Sequence, residues 1–200
     1  MNIKNLVLKD TNCYLLESEK AAIIIDPAQN SPCTEEFFEK TKDKERLILI
    51  THAHFDHIGG AESLRNKFGV KIAVGEADNP ALSDPIVNEG AQFDIIVPPF
   101  DADIMVNDGD CLSVGDITVK AYNTPGHTVG SMCYQIGDTL FTGDTLFCRG
   151  FGNTCFHGGS RRDIVKSVKW ILANFPDDMP VLSGHGEATT IIAEREHYGL

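Results

Sequence analysis

The decapeptide Thr51-His52-Ala53-His54-Phe55-Asp56-His57-Ile58-Gly59-Gly60 puts three imidazoles and a carboxylate within six residues, directly behind the apolar run Leu47-Ile48-Leu49-Ile50. His nitrogen and Asp oxygen are ligand atoms suited to zinc, iron or manganese. Their density here is far above chance for a chain with seven His in 200 residues. A strand that ends in such a cluster delivers several ligands to one point at a sheet edge. Three further segments share the pattern: His127 in Thr124-Pro125-Gly126-His127-Thr128, Asp144 in Phe141-Thr142-Gly143-Asp144-Thr145, and His185 in Val181-Leu182-Ser183-Gly184-His185-Gly186. Each follows a short apolar run and has glycine beside it, which lets backbone approach closely. Strand ends on one rim can converge although they lie far apart in sequence.

The candidates are therefore His52, His54, Asp56, His57, His127, Asp144 and His185, five His and two Asp. One ion needs three or four protein ligands. Seven suit two ions, which at a separation of roughly 3.5–4 Å share a bridging carboxylate and a bridging hydroxide. Alternation along the chain sorts the first cluster, with His52 and His54 pointing one way and Asp56 and His57 reaching a second position. His157 and His197 lack strand-end placement and are read as surface or packing residues.

The elements that must position these groups follow from apolar periodicity. Strands are expected at Ile3–Leu8, Cys13–Glu17 and Ala21–Asp26, the last buried on both faces because its apolar run is continuous. A helix is expected over Cys33–Lys42 with Thr34 as N-cap, a strand over Arg46–Thr51, a helix over Ile58–Phe68 and a strand over Lys71–Gly75. The proline-interrupted stretch Glu76–Asp103 reads as an irregular excursion carrying a short helix. Strands follow at Ile117–Asn123, Ser131–Ile136 and Thr139–Thr142. Ser160–Phe175 is a helix with a Ser160/Asp163 capping box and a stripe of Ile164, Val165, Val168, Ile171, Leu172 and Phe175. Val181–Ser183 is a last strand and Thr189–His197 a last helix. The layered arrangement that suits this order is an α/β one, two mixed sheets face to face with helices outside.

Bulk properties narrow the function. A length of 200 residues suits one domain over 1–200, and 42% apolar with 23% charged residues is ordinary for a globular protein. The net charge of −12 argues against a nucleic-acid partner, which needs clustered Lys and Arg. No apolar run reaches membrane-spanning length and the N-terminus has no signal-type apolar region, so no membrane partner and a cytoplasmic location are expected. The six cysteines form no C-x-x-C pair and read as reduced thiols; Cys13, Cys111 and Cys133 are expected to be small buried hydrophobes, while Cys148 and Cys155 lie in the loop after Asp144. Oligomeric state has no signature in the sequence.

The ordered motifs T-H-x-H-x-D-H-I-G-G, P-G-H-T-x-G-S, F-T-G-D-T-L-F and G-H-G resemble the metallo-β-lactamase superfamily and, within it, the glyoxalase II-like (hydroxyacylglutathione hydrolase-like) group. The resemblance spans nearly the whole chain. It implies an αββα sandwich of four layers with the metal site on one rim. It implies a first metal on His52, His54 and His127, a second on Asp56, His57 and His185, and Asp144 bridging them. The implied cofactors are two divalent ions, zinc first, with iron or manganese as alternatives. A metal-bridging hydroxide would then attack a thioester carbonyl, with Asp56 orienting it.

An Asp at 144, where several β-lactamases use a cysteine, favours the thioesterase branch over antibiotic hydrolysis. The chain stops at Leu200, without the C-terminal helical extension of glutathione-binding members, and so resembles the compact bacterial forms. In the loop after Asp144, Arg149, Asn153 and Cys155 are the candidate substrate contacts. Asn153 stands where the family often has a basic residue, and an aromatic or acidic residue is common near Cys155. The expected partner is a small thioester such as an S-acylglutathione. The alternatives are a mononuclear iron persulfide dioxygenase and another small-ester or lactone hydrolase of the same superfamily.

Overall fold

Ile23 and Ile25 face one side of their strand and Ile24 the other, and all three are buried, as the unbroken apolar run requires. The computed structural model describes residues 1–200 and places that strand, β3 (Ala21–Ile25), inside a mixed sheet. Its neighbours are β1 (Asn2–Leu8) and β2 (Thr11–Glu17) on one side, and β4 (Glu45–Leu49), β5 (Lys71–Gly75) and β6 (Ile104–Val106) on the other, in the order β1-β2-β3-β4-β5-β6. The second sheet holds β7 (Cys111–Val114), β8 (Ile117–Asn123), β9 (Met132–Ile136), β10 (Thr139–Gly143), β11 (Pro180–Ser183) and β12 (Thr189–Thr190), in the order β12-β11-β10-β9-β8-β7. Tyr14, Ile23, Leu49, Val119, Tyr134 and Phe141 fill the space between the sheets. Each buried aliphatic side chain there contributes about 1.5–3 kcal/mol.

Helices cover both outer faces, which completes the expected four layers. α1 (Pro32–Lys40), α2 (Phe55–Ile58) and α3 (Ala61–Phe68) lie on the first sheet, through Phe38, Ile58 and Leu64. α4 (Arg161–Asn174) and α5 (Ile191–Tyr198) lie on the second, through Ile164, Ile171 and Ile191. No helix is long and apolar enough to cross a membrane.

Strand direction decides where the loops gather. β3, β4 and β5 run parallel, so their C-terminal ends share one edge. β8 and β10 are each antiparallel to β9, and β10 is parallel to β11, so β8, β10 and β11 also end on one edge. Bonds between the sheets bring the two edges together: Tyr134 Oη donates to the Ile50 carbonyl at 2.8 Å, Met132 N to the Thr51 carbonyl at 2.9 Å, and Asn12 N to the Gly184 carbonyl at 2.7 Å.

Several boundaries differ from the sequence expectation. Ser31, not Thr34, caps α1: its Oγ accepts from Cys33 N, and Pro32 fits the first helical position because it has no N–H to satisfy there. The expected Ile58–Phe68 helix is broken into α2 and α3 at Gly59-Gly60. There the Ala28 and Gln29 carbonyls approach so closely that a Cβ at either glycine would overlap them. Glu76–Asp103 carries two 3-10 turns, Glu76–Ser83 and Gly90–Phe93, instead of one short helix. Thr189–Thr190 pair with β11 as a strand, so the last helix starts after them with Thr190 as its cap. Cys111 is exposed, because β7 is the edge strand of its sheet and not a core one.

Candidate metal centre

Every candidate ligand lies just past a strand end on the shared rim or in the short helix beside it. His52 and His54 follow β4, Asp56 and His57 lie in α2, His127 follows β8, Asp144 follows β10 and His185 follows β11. The fold brings all seven together in three overlapping groups: His52, His54 and His127; His52, His57 and Asp144; and Asp56, His57 and His185. Within each group the ligand atoms lie no more than 4.8 Å apart.

The outward nitrogens of four rings have acceptors of their own. His57 Nδ1 is 2.9 Å from Asp26 Oδ2, His127 Nδ1 is 2.7 Å from the Asn153 carbonyl, and His185 Nδ1 is 2.8 Å from the Asp10 carbonyl. Those carbonyl and carboxylate oxygens only accept, so each Nδ1 carries the hydrogen. His52 Nδ1 is 3.2 Å from Thr51 Oγ1, whose own proton goes to Asp26 Oδ2 at 2.7 Å, so His52 also donates outward. In the neutral ring the remaining nitrogen is then a lone pair facing inward.

The inward nitrogens crowd each other. His127 Nε2 is 2.8 Å from His54 Nδ1 and 3.1 Å from His52 Nε2. With the ring hydrogens of His52 and His127 committed outward, lone pairs meet at hydrogen-bond distance, an arrangement that a cation between them resolves. The buried Asp144 Oδ1 has no hydrogen-bond partner. Asp144 lies between the groups, with Oδ1 at 3.5 Å from His57 Nε2 and Oδ2 at 3.4 Å from His127 Nε2 and 3.5 Å from His185 Nε2. A Cβ at Gly184 would overlap this carboxylate, so only glycine leaves it room. The donor set and its geometry fit two divalent cations.

Electrostatics divides the cluster. Burial, reinforced by the neighbouring rings, pushes His54 down to about 3 and His52 well below its ordinary value. Burial alone would do the same to His57, but Asp56, Asp26 and Asp144 outweigh it and raise that ring to about 10. His185 is raised too, the Asp56 hydrogen bond and the Asp144 charge exceeding the effect of burial. Burial works against Asp56, yet His57 and His185 hold it well below the usual carboxylate range.

Two buried carboxylates that the motif reading passed over support the ligands. Asp26, at the end of β3, accepts from Thr51 N at 2.8 Å, from Thr51 Oγ1 and from His57 Nδ1, so it positions one ligand and the residue before another. Asp78, just past β5, ties two ligand loops together. It accepts from Ala53 N at 3.0 Å, between His52 and His54, and from Thr128 Oγ1 and Gly130 N at 2.8 Å each, beside His127. Asp26 directly follows a short apolar strand, the placement that marked the ligands, whereas Asp78 stands three residues past β5 and lacks that signal.

A cavity of about 150 Å³ opens onto the cluster, lined by His54, Asp56, His127, Asp144 and His185 with the rings of Phe55, Phe93 and Phe156 and the polar Glu89 and Asn153. Asn153 is thus brought to the site. Arg149 and Cys155 line neither this cavity nor the larger one beside it; Arg149 sits exposed at a positive φ with its N–H on Glu194, and Cys155 is exposed. His197 is in α5, away from the strand ends, and His157 lines a separate cavity behind His54.

Comparison with known proteins agrees with this architecture. Residues 7–185 match the metallo-β-lactamase superfamily. An uncharacterized protein of Mycobacterium tuberculosis is 38% identical, over 92% of this chain and 89% of its own length. The hydroxyacylglutathione hydrolase GloC of Haemophilus influenzae is 31% identical over 92% of this chain and 89% of its own. Among solved structures, the B3 metallo-β-lactamase BLEG-1 superposes with a TM-score of 0.90 at 32% identity, covering 98% of this chain and 97% of that one. ETHE1 from Myxococcus xanthus superposes with a TM-score of 0.80 at 27% identity, covering 98% and 83%. With this match along the chain and the strand-end histidines and aspartates in place, the protein belongs to the metallo-β-lactamase superfamily.

Proposed function

We propose that this chain is a binuclear metal-dependent hydrolase acting on thioesters. The observation that carries the reading is the convergence of seven side chains, with inward lone pairs facing one another and Asp144 between the two groups. His52, His54 and His127 would hold one divalent cation and Asp56, His57 and His185 the other, with Asp144 shared. Bound there, such ions supply Lewis acidity towards a carbonyl oxygen and lower the pKa of water towards neutrality.

The chain's own groups do the rest. Asp56 Oδ2 accepts from Thr11 Oγ1 at 3.1 Å and lies 3.3 Å from His185 Nε2. Its lowered pKa keeps it charged at neutral pH, so it accepts a hydrogen bond from the attacking water and orients it. Phe55, Phe93 and Phe156 wall the cavity against bulk water and hold the carbonyl group near the cluster. No Lys or Arg lines that cavity, so charge developing on the carbonyl oxygen and the leaving sulfur has no side-chain cation to meet it. That places the burden on the metal centre. The thioester reading is supported by the likeness to GloC and by Asp144, where a softer cysteine ligand is absent.

The test is metal analysis of purified protein together with turnover of acyl thioesters. The expected result is about two divalent ions per chain and hydrolysis that chelation abolishes and zinc, iron or manganese restores. A single iron per chain, with oxygen consumed on a glutathione persulfide and no thioester cleaved, would overturn the proposal.

A further inference from the structure

A second cavity, of about 460 Å³, adjoins the first and shares Phe55, Asp56 and His185 with it. At ~30 Å³ per molecule it has the room of roughly fifteen waters, against about five in the smaller one. Its far wall is Ile95, Ile96 and Val97, from the excursion between β5 and β6. Ile96 is 91% exposed and Ile95 36%, so this wall presents aliphatic surface to water beside the reaction centre. Single exposed apolar residues are ordinary, but consecutive ones that line a cavity at a candidate active site mark a binding surface.

Charge identifies what binds. Away from the cluster the ionisable groups lining this cavity are Lys9 and Asp10, adjacent and opposite in the turn between β1 and β2. They offer no net attraction to an anion, and Asp56 adds a negative charge where the two cavities meet. The smaller cavity is the more polar in character, with Glu89 and Asn153 among its lining.

Resting on the thioester reading above, we infer that the 460 Å³ cavity is an acyl-chain subsite, and that the preferred substrates are thioesters of unbranched aliphatic acids longer than acetyl. The acyl chain lies along Phe55, Ile95, Ile96 and Val97. The thioester carbonyl sits at the cluster, and the polar thiol carrier leaves past Glu89 and Asn153. In a thioester of a biological thiol, the carrier bears amides that Glu89 and Asn153 can meet, and only the acyl arm is purely aliphatic. The two halves of the substrate therefore sort to the two cavities by polarity. Water adds to the carbonyl carbon, the C–S bond breaks, and the products are a fatty carboxylate and a thiol.

The experiment measures kcat/KM for one thiol carrying acetyl, butanoyl, hexanoyl and octanoyl groups, on the metal-loaded wild type and on Ile96→Asp and Val97→Asp. Each methylene that enters the cavity contributes up to a few-fold, so a rise of at least about tenfold from acetyl to hexanoyl is expected, mostly through KM. In the variants the hexanoyl-to-acetyl ratio should fall about tenfold while the metal content stays that of wild type. Wild-type rates that are flat or falling with chain length, or variants that keep the full ratio, would overturn the subsite. If metal-loaded protein cleaves no thioester of any length, the thioester reading itself has failed. Thermal shift with a non-hydrolysable octyl thioether gives a readout independent of turnover: Tm should rise for wild type and not for Ile96→Asp, and no rise in wild type counts against the subsite.

Discussion

The two halves of the metal centre are built from the same rim but in opposite electrostatic styles. The half made of His52, His54 and His127 is an all-imidazole triad, buried to 4% exposure or less, in which burial holds His52 and His54 against protonation. The half made of Asp56, His57 and His185 is carboxylate-rich, with Asp26 and Asp144 also bearing on His57. It attracts positive charge so strongly that its histidines are raised where His52 and His54 are lowered. The first half is thus pre-set as a neutral-donor site. The second makes any metal compete with a proton. Asp144 couples them, so damage there should be felt by both.

Removing that coupling is expected to have the largest effect. Asp144→Ala should lower thioester turnover on the order of a thousandfold and reduce the metal content on both sides, read by elemental analysis; turnover within a few-fold of wild type would break the coupling. Asp56→Asn should come next, with a loss of about a hundredfold but with the metal at the imidazole triad retained. Smaller still are the supports. Asp26→Asn should weaken metal affinity about 10–100-fold in the carboxylate-rich half, and Asp78→Asn by a similar factor in the triad. Each should leave the far-ultraviolet circular dichroism unchanged. If each variant affected both halves equally, the division of labour would be wrong.

Acidity gives the gentlest test. His57, at about 10 in the folded chain, lies above its ordinary value. Its proton therefore stabilises the metal-free fold at low pH, and that contribution fades as pH rises through about 10. A metal at the second half must displace the proton, so its affinity should climb by up to about tenfold per pH unit between roughly pH 6.5 and 8.5. His54, at about 3, and His52, pushed well below its ordinary value, have no proton to lose in that range, so affinity at the triad should vary less with pH. Calorimetric zinc titration of chelated protein should resolve one steeply and one weakly pH-dependent step; two steps of equal slope would contradict the contrast.

Legibility in the sequence divides between the rim of strand ends and the segments whose conformation depends on distant contacts. The candidate ligands stand out because a strand end followed by glycine and an imidazole is a strong local pattern, and parallel pairing carries such ends to one edge. β3 and the α4 stripe were readable because burial on two faces and on one face leave different periodicities. Ser31 as the cap of α1 was missed because Thr34 lies nearer the acidic residues, whereas Pro32 fixes the true first position. The break at Gly59-Gly60 was invisible because its cause, the Ala28–Gln29 backbone, is distant in sequence. The supporting roles of Asp26 and Asp78 are not legible for a related reason: their partners are backbone N–H groups, hydroxyls and a ring in other loops. The Ile95–Val97 wall belongs to a segment without period, where function depends on where the fold leaves aliphatic surface.

The most direct test of the central claim is anomalous diffraction from crystals of the metal-loaded protein. The account predicts two peaks roughly 3.5–4 Å apart, one among His52, His54 and His127 and the other among Asp56, His57 and His185, with the Asp144 carboxylate within bonding distance of both. A single peak under full loading, or two peaks with Asp144 touching neither, would contradict it.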